Sequence, residues 1–163
     1  MNRTARRLVP VFAAACACLA GPAGALTFHT YKTAVGGELI STLPGDNTNR
    51  VLYSLPVSTI SAGDVLVVDN EFEMENDGLA TAMLTAHVIL ADSPGATTGT
   101  DLGVETTQGI SALMFRNKRF KGAIKQFASA LSGTKYVNVF VRSDENLTVR
   151  ANRGTLQVMK VSP

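Results

Sequence analysis

The chain has 163 residues, 45% of them hydrophobic and 17% charged, with a formal net charge of +2. This length and apolar content suit one folded domain with its own core and are wrong for a disordered tail. Trp is absent and Tyr occurs three times, which argues against the flat aromatic platforms that stack on crystalline polysaccharide.

Residues 1–25 read as an export signal. Arg3, Arg6 and Arg7 form a positive start without an acid, and residues 8–19 are a short apolar run. Ala23 and Ala25 flank Gly24 in the small-residue pattern that precedes a cleavage point, which places the cut between Ala25 and Leu26. The run is shorter than the roughly 20 residues a transmembrane helix needs, and no later stretch of the chain supplies such a span. Arg6-Arg7 resembles a twin-arginine signal, but Pro10 fits the ordinary secretory route better. Ala13 and Ala15 stand three residues before Cys16 and Cys18, where a lipoprotein signal carries a larger apolar residue. Cleavage lowers Lys+Arg from 15 to 12 against 13 Asp+Glu, so the exported chain, residues 26–163, has a net charge of about −1. The basic balance belongs to the signal and gives no argument for nucleic acid as a partner. Both cysteines leave with it, so the exported domain has no disulfide, thiol nucleophile or thiolate metal site. The expectation is a secreted protein, extracellular or periplasmic, held together by its core.

The exported part alternates apolar and polar residues at period two between Gly, Asn, Asp and Pro. Residues 26–33 and 50–60 are the first strand candidates. Pro56 marks the second as an edge or bulged strand, because proline cannot donate to a ladder. Residues 44–49 form a polar loop. In residues 64–75, Leu66, Val68, Phe72 and Met74 share one face, and Asp69, Glu71, Glu73 and Glu75 the other. In residues 80–91, Ala80, Ala82, Leu84, Ala86, Val88 and Leu90 share a face opposite Thr81, Thr85 and His87. A three-residue loop of Asn76, Asp77 and Gly78 would join these two strands as a hairpin. It would pair Met74 with Ala80, Phe72 with Ala82, Val68 with Ala86 and Leu66 with Val88, with Gly78 left-handed and His87 beside Val67. A two-residue loop would mix the faces.

Residues 93–103 read as a longer loop. Residues 110–131 fit two periods: Phe120, Ile124, Phe127 and Leu131 recur at helical spacing before Gly133, yet Gly122 would cost a helix about 1 kcal/mol. We expect a strand over residues 119–127 and a helical turn nearer Leu131. Val137, Val139 and Val141 then alternate with Tyr136, Asn138, Phe140 and Arg142. Turns at residues 143–145 and 152–154 would make the C-terminal part a three-stranded meander. The expected fold is all-β, an antiparallel two-sheet sandwich of jelly-roll type. The segments GTKYVNVFVRS and GTLQVMKV resemble small secreted jelly-roll-like β-sandwich proteins of uncharacterised function. That resemblance covers the C-terminal third and carries over no functional residue.

Three constellations bear on chemistry. Asp69, Glu71 and Glu73, with Glu75, form an acidic ladder whose members stand roughly 6.5 Å apart. Such a ladder offers oxygen ligands to calcium or a carboxylate pair for glycoside hydrolysis; its simpler role is a solvated sheet face. Tyr136, Asn138 and Arg142 on one strand face would suit a hydrogen-bonding site for a glycan or another envelope component, unless that face is packed and Phe140 buried. The basic run Arg116, Lys118, Arg119, Lys121 and Lys125 suits acidic polysaccharide or lipopolysaccharide phosphates, or pairing with the acidic ladder across the sheet. His29 and His87 lack metal-ligand spacing, no nucleophile-elbow or phosphate-loop pattern occurs, and Asn146-Leu147-Thr148 is a glycosylation sequon. The sequence therefore favours a non-enzymatic secreted β-sandwich that binds an extracellular ligand or self-assembles as a homo-oligomer. A carbohydrate- or calcium-binding module is the alternative, and a hydrolase using the carboxylates from Asp69 to Glu75 (Asp69, Glu71, Glu73 and Glu75) the third.

Overall fold

The computed structural model describes residues 27–34 and 39–163, with side chains placed for residues 43–102, 107–114, 124–148 and 155–163. The export signal and its Ala25–Leu26 cleavage point lie outside the described residues. The described chain forms strands β1 (Thr27–Ala34), β2 (Leu39–Leu43), β3 (Arg50–Val57), β4 (Val65–Asn76), β5 (Ala82–Ala91), β6 (Thr100–Ile110), β7 (Met114–Gln126), β8 (Lys135–Ser143) and β9 (Leu147–Ser162). One sheet runs β1-β9-β4-β7 with β2 also on β9, and the other runs β3-β8-β5-β6. All the strand pairs are antiparallel. From β3 onward the chain changes sheets at each connection except β5 to β6, the order of a jelly roll.

The core lies between the sheets. On β4 the even-numbered residues from Leu66 to Asn76 are all buried, as the alternation requires. On β5 Ala82, Leu84, Ala86, Val88 and Leu90 face them, and β8 adds Val137, Val139 and Val141. Pro56 lies on β3, an outer strand of its sheet, where a missing donor costs little. A hydrogen bond also crosses between the sheets: the Tyr53 hydroxyl on β3 donates to the Glu71 carbonyl on β4 at 3.1 Å. Burial, and then the Glu71 charge, push the Tyr53 pKa up to about 12.

The structure corrects four expectations. β4 and β5 are not a hairpin; β4 pairs with β7 and β9, and β5 with β6 and β8. Side by side, their apolar stripes would form one face still needing cover. Placed in opposite sheets, each stripe covers the other. The connection takes in Ala80 and Thr81 as turn residues and bridges the roughly 10 Å between sheets. Gly78 is not among the glycines with positive φ, and His87 stands opposite Phe140 and Glu105 rather than Val67.

The C-terminal meander is likewise absent, because β8 and β9 lie in different sheets. The turn signal at residues 152–154 falls inside β9. There the register against β4 jumps, so that Glu71 faces Thr155 while Glu73 faces Arg150. On its other side β9 changes partner across this bulge, from β2 to β1. The expected strand at residues 119–127 is part of β7, but no helical turn forms near Leu131, which bridges to Ile60. Finally, β4 is an interior strand, so its acidic ladder is not an open solvated face. Asp69, Glu71 and Glu75 are half-buried and Glu73 is 0% exposed.

Candidate functional site

The most distinctive surface is one end of the sandwich, built by the β4–β5 and β6–β7 connections. The Asn76 side chain, 1% exposed, ties them together. Its Nδ2 donates to the Ala80 carbonyl at 2.8 Å and to the Ile110 carbonyl at 2.9 Å, and its Oδ1 accepts from the Gly78 N–H at 2.9 Å. The Leu113 N–H then donates to the Gly78 carbonyl at 3.3 Å. Both connections are therefore held at a fixed distance and pitch.

What they hold outward is aliphatic. Leu79 is 90% exposed and Leu113 72%, with Met114 and Met83 partly exposed beside them. Met83 lies at the β5–β6 side of this end: a Cβ at its partner Gly109 would lie 3.5 Å from the Met83 sulfur. Leu113 has φ of 55°, a left-handed conformation that costs a branched residue on the order of 1 kcal/mol. A leucine kept both strained and wet gains nothing for the fold. Exposed Asp77 lies in the same β4–β5 connection as Leu79, and exposed Asp144 and Glu145 lie in the β8–β9 turn at this end. Asp144 is anchored there, its Oδ1 accepting from the Met83 N–H at 2.6 Å and its own N–H donating to the Met83 carbonyl. Sequence reasoning passed over these leucines because each sits in a turn, outside any alternating strand. The signal was present, since D-G-L-A and S-A-L-M put large aliphatics where turns usually place polar residues.

The acidic ladder is a different environment. Asp69, Glu73 and Glu75 each take part in an interaction within the protein. The register sets Asp69 opposite Lys121 and Glu71 opposite Arg119 on β7, the cross-strand arrangement of opposite charges that the sequence allowed. Among the described residues no three His, Cys, Asp or Glu side chains converge as a metal site.

Tyr136, Asn138 and Arg142 lie on the outer face of the β3-β8-β5-β6 sheet, but they are not equivalent. Asn138 is 0% exposed. Its Nδ2 donates to the Ser93 and Ala96 carbonyls, both at 3.1 Å, and its Oδ1 accepts from Ser54 Oγ at 2.6 Å and the Gly95 N–H at 3.2 Å. It is the clamp that folds the β5–β6 loop over this face. Beneath that loop Phe140, Ile89 and Ala91 form a small second core against Ala96. Tyr136 and Arg142 stay half-exposed, and Arg142 has a partner within the protein. His87 sits on the same face, 3.3 Å from Asp101. A pocket of about 250 Å³ opens at the far end of this sheet, its lining including Leu90, Leu131, Thr100, Asp92 and Lys135. Lys135 and Asp92 form an ion pair there.

These features define an all-β, antiparallel two-sheet sandwich whose chain signature is a jelly roll and whose surface carries an aliphatic, acid-rimmed end. No protein-family model and no curated protein matches the sequence. The fold does match solved structures. That of the infectious bursal disease virus Gx strain aligns at a TM-score of 0.54 and 11% identity, over 82% of this chain and 33% of that one. The VP2 subviral particle of infectious bursal disease virus aligns at 0.52 and 12% identity, over 83% of this chain and 33% of that one. The chain thus spans about one third of the length of the viral proteins it matches. At these identities the likeness is one of fold.

Proposed function

We propose that the protein is an exported, non-enzymatic jelly-roll module that works outside the cytoplasm by assembling with further copies of itself. The observation that carries this reading is the aliphatic end. Leu79 and Leu113 are fixed in solvent by a buried asparagine, one of them in a strained backbone conformation. Clustered exposed aliphatics on a soluble domain mark a surface that is covered in use. The fold supports the same reading, because a jelly roll leaves free outer strands at which copies can abut, and VP2, which shares it, forms a subviral particle. Sedimentation velocity and light scattering on the exported protein test the proposal. Mass should rise with concentration above the monomer, and a monomer at every accessible concentration would refute it. Intact-mass measurement of the same material tests export, with an N-terminus at Leu26 expected.

A second reading, binding of a small polar extracellular ligand such as a sugar, is supported by the polar-and-aliphatic pocket beside Lys135 and Asp92. Glycan-array binding that disappears in Lys135→Ala would favour it; an array without hits would remove it.

A further inference from the structure

At the end of the sandwich opposite Leu79 and Leu113, the apolar stripes of the core run out into polar residues. Alternation carries each stripe one step past its last apolar member. On one sheet that step leads from Leu66 to Asp64 on the approach to β4, and from Val158 to Lys160 on β9. On the other it leads from Leu90 to Asp92, from Val137 to Lys135 and from Leu102 to Thr100. Each sheet therefore ends its inner face in an acid and a lysine.

The two pairs are used differently. Lys160 Nζ stands 3.8 Å from Asp64 Oδ2, and Asp64 is 1% exposed. The β3–β4 connection bonds to both: Lys160 donates to the Thr59 carbonyl at 2.9 Å, and the Ser61 N–H donates to Asp64 at 2.8 Å. That pair is sealed and belongs to the fold. Asp92 and Lys135 also form an ion pair, but an open one, with the Asp92 side chain 86% exposed. Their contact uses one of the three ammonium protons and one carboxylate oxygen. The other protons of Lys135, Asp92 Oδ2 and the Thr100 hydroxyl have no hydrogen-bond partner among the described residues. All three residues line the pocket with Leu90 and Leu131. Leu131 is fixed there, its N–H donating to the Ile60 carbonyl at 2.8 Å. Around it, residues 128–130 and 132–134 are small and exposed, which leaves the mouth clear.

The charges select the ligand. An anion entering the pocket would meet Asp92, and a cation would meet Lys135. A neutral molecule with a donor and an acceptor side by side satisfies both. The volume of about 250 Å³ lies below the roughly 300–1,000 Å³ of pockets for drug-sized ligands and suits a single ring. We infer that this pocket binds one neutral sugar ring through a vicinal diol, one hydroxyl accepting from Lys135 and its neighbour donating to Asp92, with the C–H face of the ring against Leu131. This rests on the polar-ligand reading and names its class.

The test is saturation-transfer NMR on the exported protein with three neutral probes, the methyl pyranosides of glucose, galactose and mannose, and two charged ones, glucuronate and glucosamine. At least one neutral glycoside should bind and neither charged sugar should. Lys135→Met keeps the stem and removes the donors, and should weaken that binding roughly tenfold or more, the worth of a hydrogen bond to a charged group. Asp92→Asn leaves Lys135 uncompensated and should admit glucuronate. Unchanged circular dichroism and melting temperature establish that each variant folds. If Lys135→Met does not, Thr100→Val at an exposed position takes its place, with a few-fold loss expected. If none of the five probes binds, this inference and the polar-ligand reading both fail. Binding of glucuronate or glucosamine in place of the neutral glycosides would overturn the inference alone. So would neutral binding that Lys135→Met leaves unchanged, because the ring would then sit elsewhere. A disaccharide that binds where no methyl glycoside does would show recognition beyond a single ring and overturn it too.

Discussion

Replacing Asn138 with alanine tests how the outer face of the β3-β8-β5-β6 sheet is built. The side chain makes four hydrogen bonds, to the Ser93 and Ala96 carbonyls, the Gly95 N–H and Ser54 Oγ. Each such bond contributes about 0.5–1.5 kcal/mol net, for a gross loss of about 2–6 kcal/mol. Ser93 is exposed and Gly95 and Ala96 are half-exposed, so their released backbone groups can turn to water. That relief brings the expected destabilisation to about 2–4 kcal/mol. At this chain length it corresponds to a fall in melting temperature of roughly 3 °C per kcal/mol. Release of the loop also uncovers Phe140, Ile89 and Ala91, so amide exchange should accelerate at residues 93–96 before the rest of the sheet opens. Urea unfolding gives the total, and hydrogen exchange gives its location. Ser54→Ala removes one of the four bonds and should cost about 1 kcal/mol. The reasoning is refuted if Asn138→Ala costs less than Ser54→Ala, or if exchange at residues 93–96 is unchanged.

Asn70 is 1% exposed on the core face of β4, and neither of its amide atoms has a hydrogen-bond partner. Asn70→Leu, of similar volume, should stabilise the protein by about 1 kcal/mol or more in urea; a loss of stability would show that the amide is satisfied in solution. The Tyr53 hydroxyl has a folded-state pKa of about 12 against 10.0 for the free group. The unfolded chain therefore sheds this proton first, so the stability tied to the neutral phenol is whole below pH 10 and declines as pH rises from about 10 to about 12. A melting series over that window should fall less steeply in Tyr53→Phe, and an equal slope would contradict the assignment. A Cβ at Gly99 would stand 2.2 Å from the Leu90 carbonyl oxygen. Gly99→Ala must then push β5 and β6 apart, at a cost of roughly 1–3 kcal/mol in thermal unfolding, and a neutral result would show that this turn yields easily.

The amino-acid sequence by itself determined the strand character and the faces. Leu66, Val68, Phe72 and Met74 on β4 and Leu84, Val88 and Leu90 on β5 are buried as their period-two spacing required, because alternation is local and each residue carries its own share of it. The chain also marked the irregular places: Pro56 on an outer strand, and the turn residues 152–154 where β9 slips its register. What alternation cannot encode is the partner. An apolar stripe is equally satisfied beside a neighbour or beneath an opposing sheet, and only the assembled core decides between them. Hence β4 and β5 read as a hairpin but face one another across the sandwich, and β8 and β9 part into different sheets. The same limit governed the sites. Asn138 shows on its own strand as a polar residue on an outer face, and its burial comes from a loop more than forty residues earlier in the chain. Leu79 and Leu113 are 34 residues apart, and they become one surface only because Asn76 draws two connections together across the end of the fold.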